Sequence, residues 1–447
     1  MVKKRILSMA LAAAIAFPAL AGCGSSSKEP AQPETTASAN PAATPGKATL
    51  KGEITFIHHR TDIDGTLMKG YIAKFNEKYP SIKVKTETMS DYEGQMKIRL
   101  NSNDYGDAVI VSDEVNKVDL PNFYERLGSA TELEKKYMWI RTGRSLGEDV
   151  FGIPTCGNAF GIVYNKKVFS DAGITKLPAT PDEFISALKS VKEKTKAIPM
   201  YTNYAADWPM QQWEDHRTSV AGNPDYVNSM AHMDDPFSPG RPHYIVYKLM
   251  YDAVKEKLVE QDPLTTDWES SKPRMANGEI ATMVLGSWAI SQIKEKAANP
   301  ADIGYMPFPY TNKDGKIYAG SGGDKNIGIN KNSKNKEAAR AWLDFFLNET
   351  TYAKDLGAIS TLKGSPLPDA LKAFQDLGAV LITNNPAPAG EDGLVDKIDK
   401  ESEVGLWQSA FKKRIIEAAL GNRKESYDDI MKDLNTKWAK GRKAVVK

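Results

Sequence analysis

One short segment of the chain, residues 203–215 (NYAADWPMQQWED), combines aromatic rings with amides and carboxylic acids. The rings belong to Tyr204, Trp208 and Trp213. An aromatic face excludes water from a flat apolar partner, and such contacts add on the order of 0.5–1.5 kcal/mol beyond the area that they bury. Ring faces beside planar polar groups suit a ligand with apolar faces and hydroxyl edges, such as a sugar. The three residues are therefore candidate binding residues, with core packing as the alternative.

A polar cluster, HHRTDID at 58–64, follows the strand-like stretch EITFIH. Ligands bind where strand ends face a cleft, and Arg60 and Asp62 can hydrogen-bond to vicinal hydroxyl groups. A metal site built from His58, His59, Asp62 and Asp64 is the alternative. It is disfavoured because adjacent residues of a strand point to opposite faces.

A glycine-rich stretch, Gly320 to Asp324, precedes the strand-like NIGIN. Glycines permit close approach of a ligand to the backbone, and Asp324 can accept hydrogens from hydroxyl groups. A phosphate-binding loop is the alternative, but no Lys-Ser/Thr pair follows at the required spacing.

The elements that would position these residues alternate between strand and helix. Residues 82–88 (IKVKTET) alternate apolar and polar, while 107–113 (DAVIVSD) form an apolar run typical of a strand covered on both faces. A helical spacing of apolar residues from Leu67 to Tyr79 separates the first two strands. This order predicts a mostly parallel sheet with helices on its faces.

A second α/β region follows. Strands are predicted in 160–165, 279–288 and 302–309, and Thr180 to Glu183 forms a capping-box sequence with proline at the first helical position. Amphipathic helices are predicted in 335–346 and 426–438. The fold class is therefore α/β, in two lobes between which the chain crosses more than once.

The composition is that of an ordinary globular protein. The chain has 447 residues, and 59 basic against 57 acidic side chains give a net charge of +2. Such a balance argues against nucleic-acid binding through a large basic surface. Two cysteines cannot form a disulfide framework or a four-cysteine zinc site.

The N-terminus resembles a bacterial lipoprotein signal peptide. Three basic residues precede the apolar run from Ile6 to Leu20, which is short of the roughly 20 residues of a spanning helix, and Ala21-Gly22-Cys23 follows. The resemblance implies cleavage after residue 22 and a lipid on Cys23, which would anchor the protein to the extracytoplasmic face of the cell membrane. A plain secreted protein is the alternative. Residues 24–49 lack large apolar side chains and are predicted to be a flexible linker.

Four stretches together resemble the extracellular solute-binding proteins of ABC importers, in the large family that includes maltose-binding protein. They are the opening βαβ unit with 75–84, then 151–191, 275–290, and 303–309 with 322–346. The resemblance implies a binding protein for a sugar, expected here to be an oligosaccharide, that closes about a hinge and delivers its ligand to the transmembrane subunits of a permease. It implies a monomer without catalysis, cofactor, metal or nucleic-acid partner.

The resemblance also implies where the lobes divide. The N-terminal lobe would hold 50–157 with 307–348, and the C-terminal lobe 160–304 with 350–447. The chain would cross near 156–162, 304–308 and 348–352.

Further candidate residues come from matching positions of the family. Asp113 and Glu114 stand where relatives place acidic and aromatic contacts, although no aromatic residue is present here. Asn158 matches a polar contact at the first hinge. Ser287 and Trp288 match the turn that carries a sugar-stacking tryptophan, and Trp407 resembles an aromatic of the C-terminal region.

Two other functions stay open at this stage. A lipid-anchored glycoside hydrolase would need two carboxylates roughly 5–9.5 Å apart across a scissile bond. A solute-binding protein for a peptide or polyamine would share the fold but not the preference for an uncharged ligand.

Overall fold

The computed structural model describes residues 50–89 and 91–446 and shows a mixed α/β molecule. The predicted signal peptide, Cys23 and the linker lie outside the described residues. Among the described residues, no helix is both long and apolar enough to cross a bilayer. The strands are β1 (Gly52–His58), β2 (Ile82–Thr88), β3 (Ala108–Ile110), β4 (Gly128–Ser129), β5 (Arg144–Leu146), β6 (Asp149–Pro154), β7 (Gly157–Asn165), β8 (Thr282–Gly286), β9 (Ile303–Met306), β10 (Tyr318–Gly323), β11 (Asn326–Ile329) and β12 (Val380–Ile382).

The α-helices cover the faces of the sheets, and several are only one turn long. They are α1 (Thr61–Ile63), α2 (Lys69–Lys78), α3 (Tyr92–Ser102), α4 (Leu120–Phe123), α5 (Ala130–Leu133), α6 (Lys166–Asp171), α7 (Pro181–Lys194), α8 (His216–Ala221), α9 (Tyr226–Ser229), α10 (Pro242–Lys255), α11 (Trp268–Ala276), α12 (Ala289–Lys294), α13 (Lys336–Glu349), α14 (Tyr352–Asp355), α15 (Lys372–Asp376), α16 (Leu394–Ser402), α17 (Ala410–Ala419) and α18 (Tyr427–Val445). The 3₁₀ turns are Lys117–Asp119, Trp208–Trp213, Met230–His232, Pro263–Thr265, Pro300–Asp302 and Asp369–Leu371, and Asp64–Met68 is π-helical.

The strands form two sheets, one in each lobe. The first has the order β2-β1-β3-β11-β6-β4, with β5 also paired to β6. The second has the order β12-β10-β7-β8, with β9 also paired to β7. The predicted βαβ unit is confirmed, since β1 pairs in parallel with both β2 and β3. The sheets are nevertheless mixed, because β11 is antiparallel to β3 and β6, and β7 is antiparallel to β8, β9 and β10.

The chain passes between the sheets at three places, which we call the first, second and third crossings. The first (155–156) joins β6 to β7, and the second (324–325) joins β10 to β11. The third (358–359) follows α14, because Ala358 packs in the first core and Ile359 in the second lobe. Backbone hydrogen bonds join the crossings to one another: Gly157 and Ile359 exchange two of 2.8 Å, and Asp324 N donates to Cys156 O at 2.8 Å.

Two of the crossings differ from the expected positions. The chain was expected to leave the second lobe near 304–308, but β10 pairs with β7 and β12, so residues 318–323 belong to the second sheet. The reason is that β9 is followed by a loop that returns into the same sheet. The third crossing likewise falls after α14 rather than near 348–352, because Tyr352 and Leu356 still pack in the first core.

Each lobe has its own hydrophobic core. The first core surrounds Phe56, Phe75 and Trp342. Trp342 is on α13, which packs against the first sheet. The second sheet is covered on both faces, by a cluster around Trp438 and Phe308 and by another around Tyr305 and Phe374. The helix predicted after Thr180 is confirmed as α7, whose first turn is capped by a hydrogen bond from Glu183 N to Thr180 Oγ1.

A buried carboxylate lies within the second core. Glu214 is fully buried, and its Oε1 accepts hydrogen bonds from Arg217 Nη1 and His243 Nε2, both at 2.8 Å, while Tyr247 donates to Oε2. Burial alone would raise the pKa of Glu214, but His243 and Arg217 outweigh it and hold the pKa well below its ordinary value. A buried charge is tolerated where it is paired and hydrogen-bonded in this way.

A buried histidine close by predicts a pH dependence of stability. His216 is 1% exposed, stacks on Phe308 with ring centroids 4.6 Å apart, and has a buried Nδ1 without a hydrogen-bond partner. Burial lowers the pKa of His216 from 6.5 to about 3. The unfolded chain therefore binds a proton between these values that the folded protein does not, so the folded state loses stability as the pH falls below about 6.5.

We expect the free energy of unfolding to fall by about 2 kcal/mol more in the wild type than in His216→Phe when the pH is lowered from 7 to 5. Phenylalanine keeps the stacking on Phe308 and removes the titrating group. Urea unfolding at pH 7 and pH 5 measures the fall in the free energy of unfolding for each protein. Equal falls in the two proteins would contradict the prediction.

Candidate ligand-binding site

A cavity of about 290 Å³ lies at the three crossings and is lined by side chains of both lobes. The first lobe contributes residues at the end of β1, and the second contributes the start of α12. Four of its lining residues were candidates from the sequence. The lining consists of His59, Arg60, Cys156, Asn158, Trp288, Ser291, Gln292, Asp324, Leu356 and Ala358.

Arg60 enters the cavity from the end of β1, just before the helical segment that begins at Thr61. Asp62 fixes its guanidinium, with Nε to Oδ1 at 2.8 Å and Nη2 to Oδ2 at 2.5 Å. The Arg60 hydrogen bond holds the pKa of Asp62 below its ordinary value, so the pair is ionised at neutral pH. Asp62 therefore orients Arg60, and it is not among the residues that line the cavity.

Asn158 and Asp324 join the first and second crossings inside the cavity. Asn158 Nδ2 donates to Asp324 Oδ2 at 3.1 Å, and Ser287 Oγ donates to Asn158 Oδ1 at 3.2 Å. Ser287 is 1% exposed and its Oγ also accepts from Ala159 N. Ser287 thus orients Asn158 from behind. It was expected to meet the ligand, but it is buried and does not line the cavity.

Trp288 forms the aromatic wall of the cavity, and two other indoles that do not line the cavity pack against it. Its ring centroid lies 5.5 Å from those of both Trp208 and Trp268, and the latter two are 5.6 Å apart. Trp208 remains 36% exposed beside this wall. Gly286 is required here, since a Cβ at that position would lie 2.5 Å from Trp288 Nε1.

Two other aromatic candidates lie in the second core. Trp213 is 3% exposed and contacts Phe308, with ring centroids 6.4 Å apart. Tyr204 is 8% exposed, and its hydroxyl donates to Glu417 Oε1 at 2.7 Å. Trp208 and Trp213 differ in exposure because they stand at the two ends of a 3₁₀ turn, which directs Trp208 outward and Trp213 inward. The structure does not bring Trp213 or Tyr204 to the cavity.

The acidic candidates after β3 are exposed and do not line the cavity. Asp113 forms ion pairs with Arg144 and Lys325, and Lys325 Nζ also donates to Glu93 at 2.7 Å. Burial alone would raise the pKa of Asp113, but Lys325 and Arg144 lower it below its ordinary value. Glu114 is exposed on the same loop.

Trp407 also lies apart from the cavity lining. Its ring is 45% exposed and lies under the guanidinium of Arg217, whose Cζ is 4.7 Å from the ring centroid. This cation–π contact holds the indole at the surface of the second lobe.

The structure does not favour a metal or a phosphate at this site. His58 Nε2 faces Asp64 at 3.2 Å, whereas the His59 ring meets the Tyr92 ring edge-on. Within residues 50–89 and 91–446, no group of three or more His, Cys, Asp or Glu side chains is arranged to hold a metal ion. Residues 320–323 lie within β10 and not in a loop, so this part of the described chain does not form the phosphate-binding turn that was the alternative.

The family model described as bacterial extracellular solute-binding protein matches residues 60–353. The chain belongs to this family. The two-lobed fold implied by the resemblance is thereby confirmed, and the family places the protein outside the cytoplasm.

Similar proteins of known structure support the same assignment. BlMnBP2, a manno-oligosaccharide specific solute binding protein from Bifidobacterium animalis subsp. lactis ATCC 27673 solved with mannotriose, is 37% identical, with a TM-score of 0.80 over 88% of this chain and 95% of that chain. BlMnBP1 of an ABC transporter from the same organism, solved with mannobiose, is 39% identical with the same TM-score and coverage. The multiple sugar-binding protein of Streptococcus mutans serotype c is 25% identical over 71% of this chain and 75% of its own length.

Several residues that line the cavity of this solute-binding protein were not predicted from its sequence. Ser291 and Gln292 stand three and four residues after Trp288, which is the spacing of neighbours on one helix face, so the candidate Trp288 could have indicated them. Trp268, at the start of α11, does not line the cavity but packs on Trp288, and no strand end or family match marks it in the sequence. Leu356 and Ala358 line the cavity only because the third crossing falls after α14.

We expect Trp288→Ala to weaken ligand binding at least about tenfold, equivalent to about 1.4 kcal/mol, because the aromatic wall of the cavity is lost. Trp288→Phe keeps a flat apolar face and should lose less. Isothermal titration measures affinity, and thermal unfolding of the unliganded variants shows whether they fold. Wild-type affinity in a folded Trp288→Ala protein would remove this residue from the site.

Proposed function

We propose that the protein captures a short mannose-containing oligosaccharide outside the cytoplasm and delivers it to the transmembrane subunits of an ABC importer. The observation that carries this proposal is the cavity at the crossings, where the indole of Trp288 faces the hydrogen-bonding groups of Arg60, Asn158 and Asp324. The arrangement suits a pyranose, whose apolar face packs on an indole while its hydroxyl groups meet planar polar side chains. The named ligands of the two similar proteins at 37% and 39% identity support mannose as the sugar.

The charges near the cavity favour an uncharged ligand. Asp62 is paired with Arg60, and both Asp113 and Glu93 are paired with Lys325. Burial lowers the pKa of His59 to about 3, so this ring is neutral at pH 7. Asp324 is the single carboxylate in the lining, and it accepts from the Asn158 amide. A polyamine would need several unpaired carboxylates, which the described residues around the cavity do not offer.

Closure of the lobes would report that the ligand is bound. A sugar that contacts Arg60 of the first lobe and Trp288 of the second stabilises the closed arrangement by its greater affinity for that state. The protein would act as a monomer, with a hinge at the three crossings. Exposed Trp208 and Trp407, with Asp113 and Glu114, are proposed to meet the further units of a longer ligand.

The protein is proposed to leave its ligand chemically unchanged. Hydrolysis of a glycosidic bond would need two carboxylates on opposite sides of that bond. The cavity lining provides Asp324 alone.

We expect mannobiose and mannotriose to raise the unfolding temperature, since a ligand at 100 times its Kd stabilises the folded state by about 2.7 kcal/mol. Maltotriose and spermidine serve as comparison ligands and should give smaller shifts. Reducing-end assays after prolonged incubation with mannotriose should show no release. A shift with spermidine alone would contradict the sugar proposal, and newly formed reducing ends would contradict the absence of catalysis.

We further propose that a lipid on Cys23 anchors the protein to the extracytoplasmic face of the cell membrane, with residues 24–49 as a tether. The motif Leu20-Ala21-Gly22-Cys23 behind a short apolar run supports this.

We expect Cys23→Ser to move the protein from the membrane fraction to the soluble fraction of a bacterium that processes lipoproteins, because serine cannot carry the thioether-linked lipid. Metabolic labelling with palmitate should mark the wild type and not the variant. The control is Cys156→Ser, which changes the buried thiol of the first core and should leave labelling unaltered. Equal labelling of wild type and Cys23→Ser would refute the anchor.

A further inference from the structure

Trp139 has an unusual backbone conformation between α5 and β5. Its φ is 60°, in the left-handed region that bulky side chains rarely adopt. The residue belongs to the first lobe, since Tyr137 and Ile140 on either side of it are buried in the first core. Such outliers persist only where the surrounding structure holds them, and they are concentrated at functional and switching regions.

The Trp139 segment contacts all three crossings. A Cβ on Gly157, at the first crossing, would lie 2.1 Å from Cη2 of the Trp139 ring, so the indole packs directly on this glycine. A Cβ on Gly323, at the second crossing, would lie 3.1 Å from Trp139 Cβ. Beside the third crossing, Met138 N donates to Thr361 O at 2.8 Å. Two glycines therefore make room for one tryptophan at the hinge.

The Trp139 ring also reaches into the second lobe. Its Nε1–H donates to Thr383 Oγ1 at 3.0 Å, and Thr383 directly follows β12 in the second sheet. The Thr383 hydroxyl lies 3.0 Å from Ser321 Oγ on β10. The indole packs against the second-lobe core that contains Tyr305 and Phe374. A side chain from one lobe is thus inserted into the other.

We infer that Trp139 is a positioning residue for closure: by packing on Gly157 and bonding Thr383, it stabilises the arrangement in which both lobes line the cavity. The inference rests on the proposed function only in that closure serves sugar binding. Rotation of the lobes about the crossings would separate the indole from Thr383, so the contact favours this arrangement over a more open one. None of the three residues lines the cavity, and a change of sugar affinity on their substitution would therefore act through the hinge.

The experiment measures the separation of the lobes without ligand. Spin labels are attached to cysteines placed at the exposed Lys97 on α3 and Lys397 on α16, in the full chain carrying Cys23→Ser. Cys156 lines the cavity but is only 3% exposed, so we expect it to react little with the label. Distances are recorded by double electron–electron resonance for the parent protein, Thr383→Val, Thr383→Ser and Gly157→Ala.

Thr383→Val removes the acceptor with little change of shape, and we expect the ligand-free distances to shift toward a second population. A lost hydrogen bond of typical strength changes the population ratio about fivefold, so the Kd for mannotriose should rise by up to about fivefold. Saturating mannotriose should restore the parent distance. Gly157→Ala displaces the indole and should act in the same direction, whereas Thr383→Ser keeps the hydroxyl and should behave like the parent.

Unchanged ligand-free distances in both Thr383→Val and Gly157→Ala would overturn the inference, as would tighter sugar binding in either variant. A purely structural role would lower the unfolding temperature without moving the distances. The distances are measured without sugar, so they remain informative if mannotriose does not bind, and that result would count against the proposed function alone.

Discussion

Backbone hydrogen bonds between adjacent crossings are the constraint on which the rest of the structure depends. Gly157 exchanges two with Ile359, and Asp324 donates to Cys156, so three segments from distant parts of the chain run side by side. Buried backbone groups must keep their partners, so the proposed rotation of the lobes would take place about this line. Asn158 and Asp324 project from the same line into the cavity. The proposed hinge and the polar floor of the cavity are therefore formed by the same residues.

Local patterns predicted the elements but not how the chain joins them. Strands β1 and β2 and helices α7 and α13 follow from the spacing of apolar residues, because that spacing reflects contacts within the element and its nearest face. The pairing of β10 depends on residues 162 to 166 positions away, and no local pattern distinguishes a strand of the first sheet from one of the second. The lobe boundaries that were expected near 307 and 350 therefore differ from the crossings in the structure.

The same distinction applies to the site. Arg60 was indicated because it follows a strand-like segment, and Asp324 because it ends a glycine-rich stretch. Asn158 and Trp288 were indicated because they match a known family. Composition alone could not separate Trp208 from Trp213, since only the 3₁₀ turn decides which indole faces outward. Trp139 gave no indication at all in the sequence. Its role depends on a left-handed backbone and on two glycines that are brought to it by folding.

The position of β11 affects when the first sheet can form during synthesis of the chain. This strand lies between β3 and β6, yet residues 326–329 follow nearly all of the second sheet in the chain. Synthesis proceeds from the N-terminus, so the first sheet lacks its middle strand until about three quarters of the polypeptide has left the ribosome. Pairings between such distant residues also form slowly. The first sheet of this extracytoplasmic protein therefore cannot be completed before most of the second sheet has been synthesised.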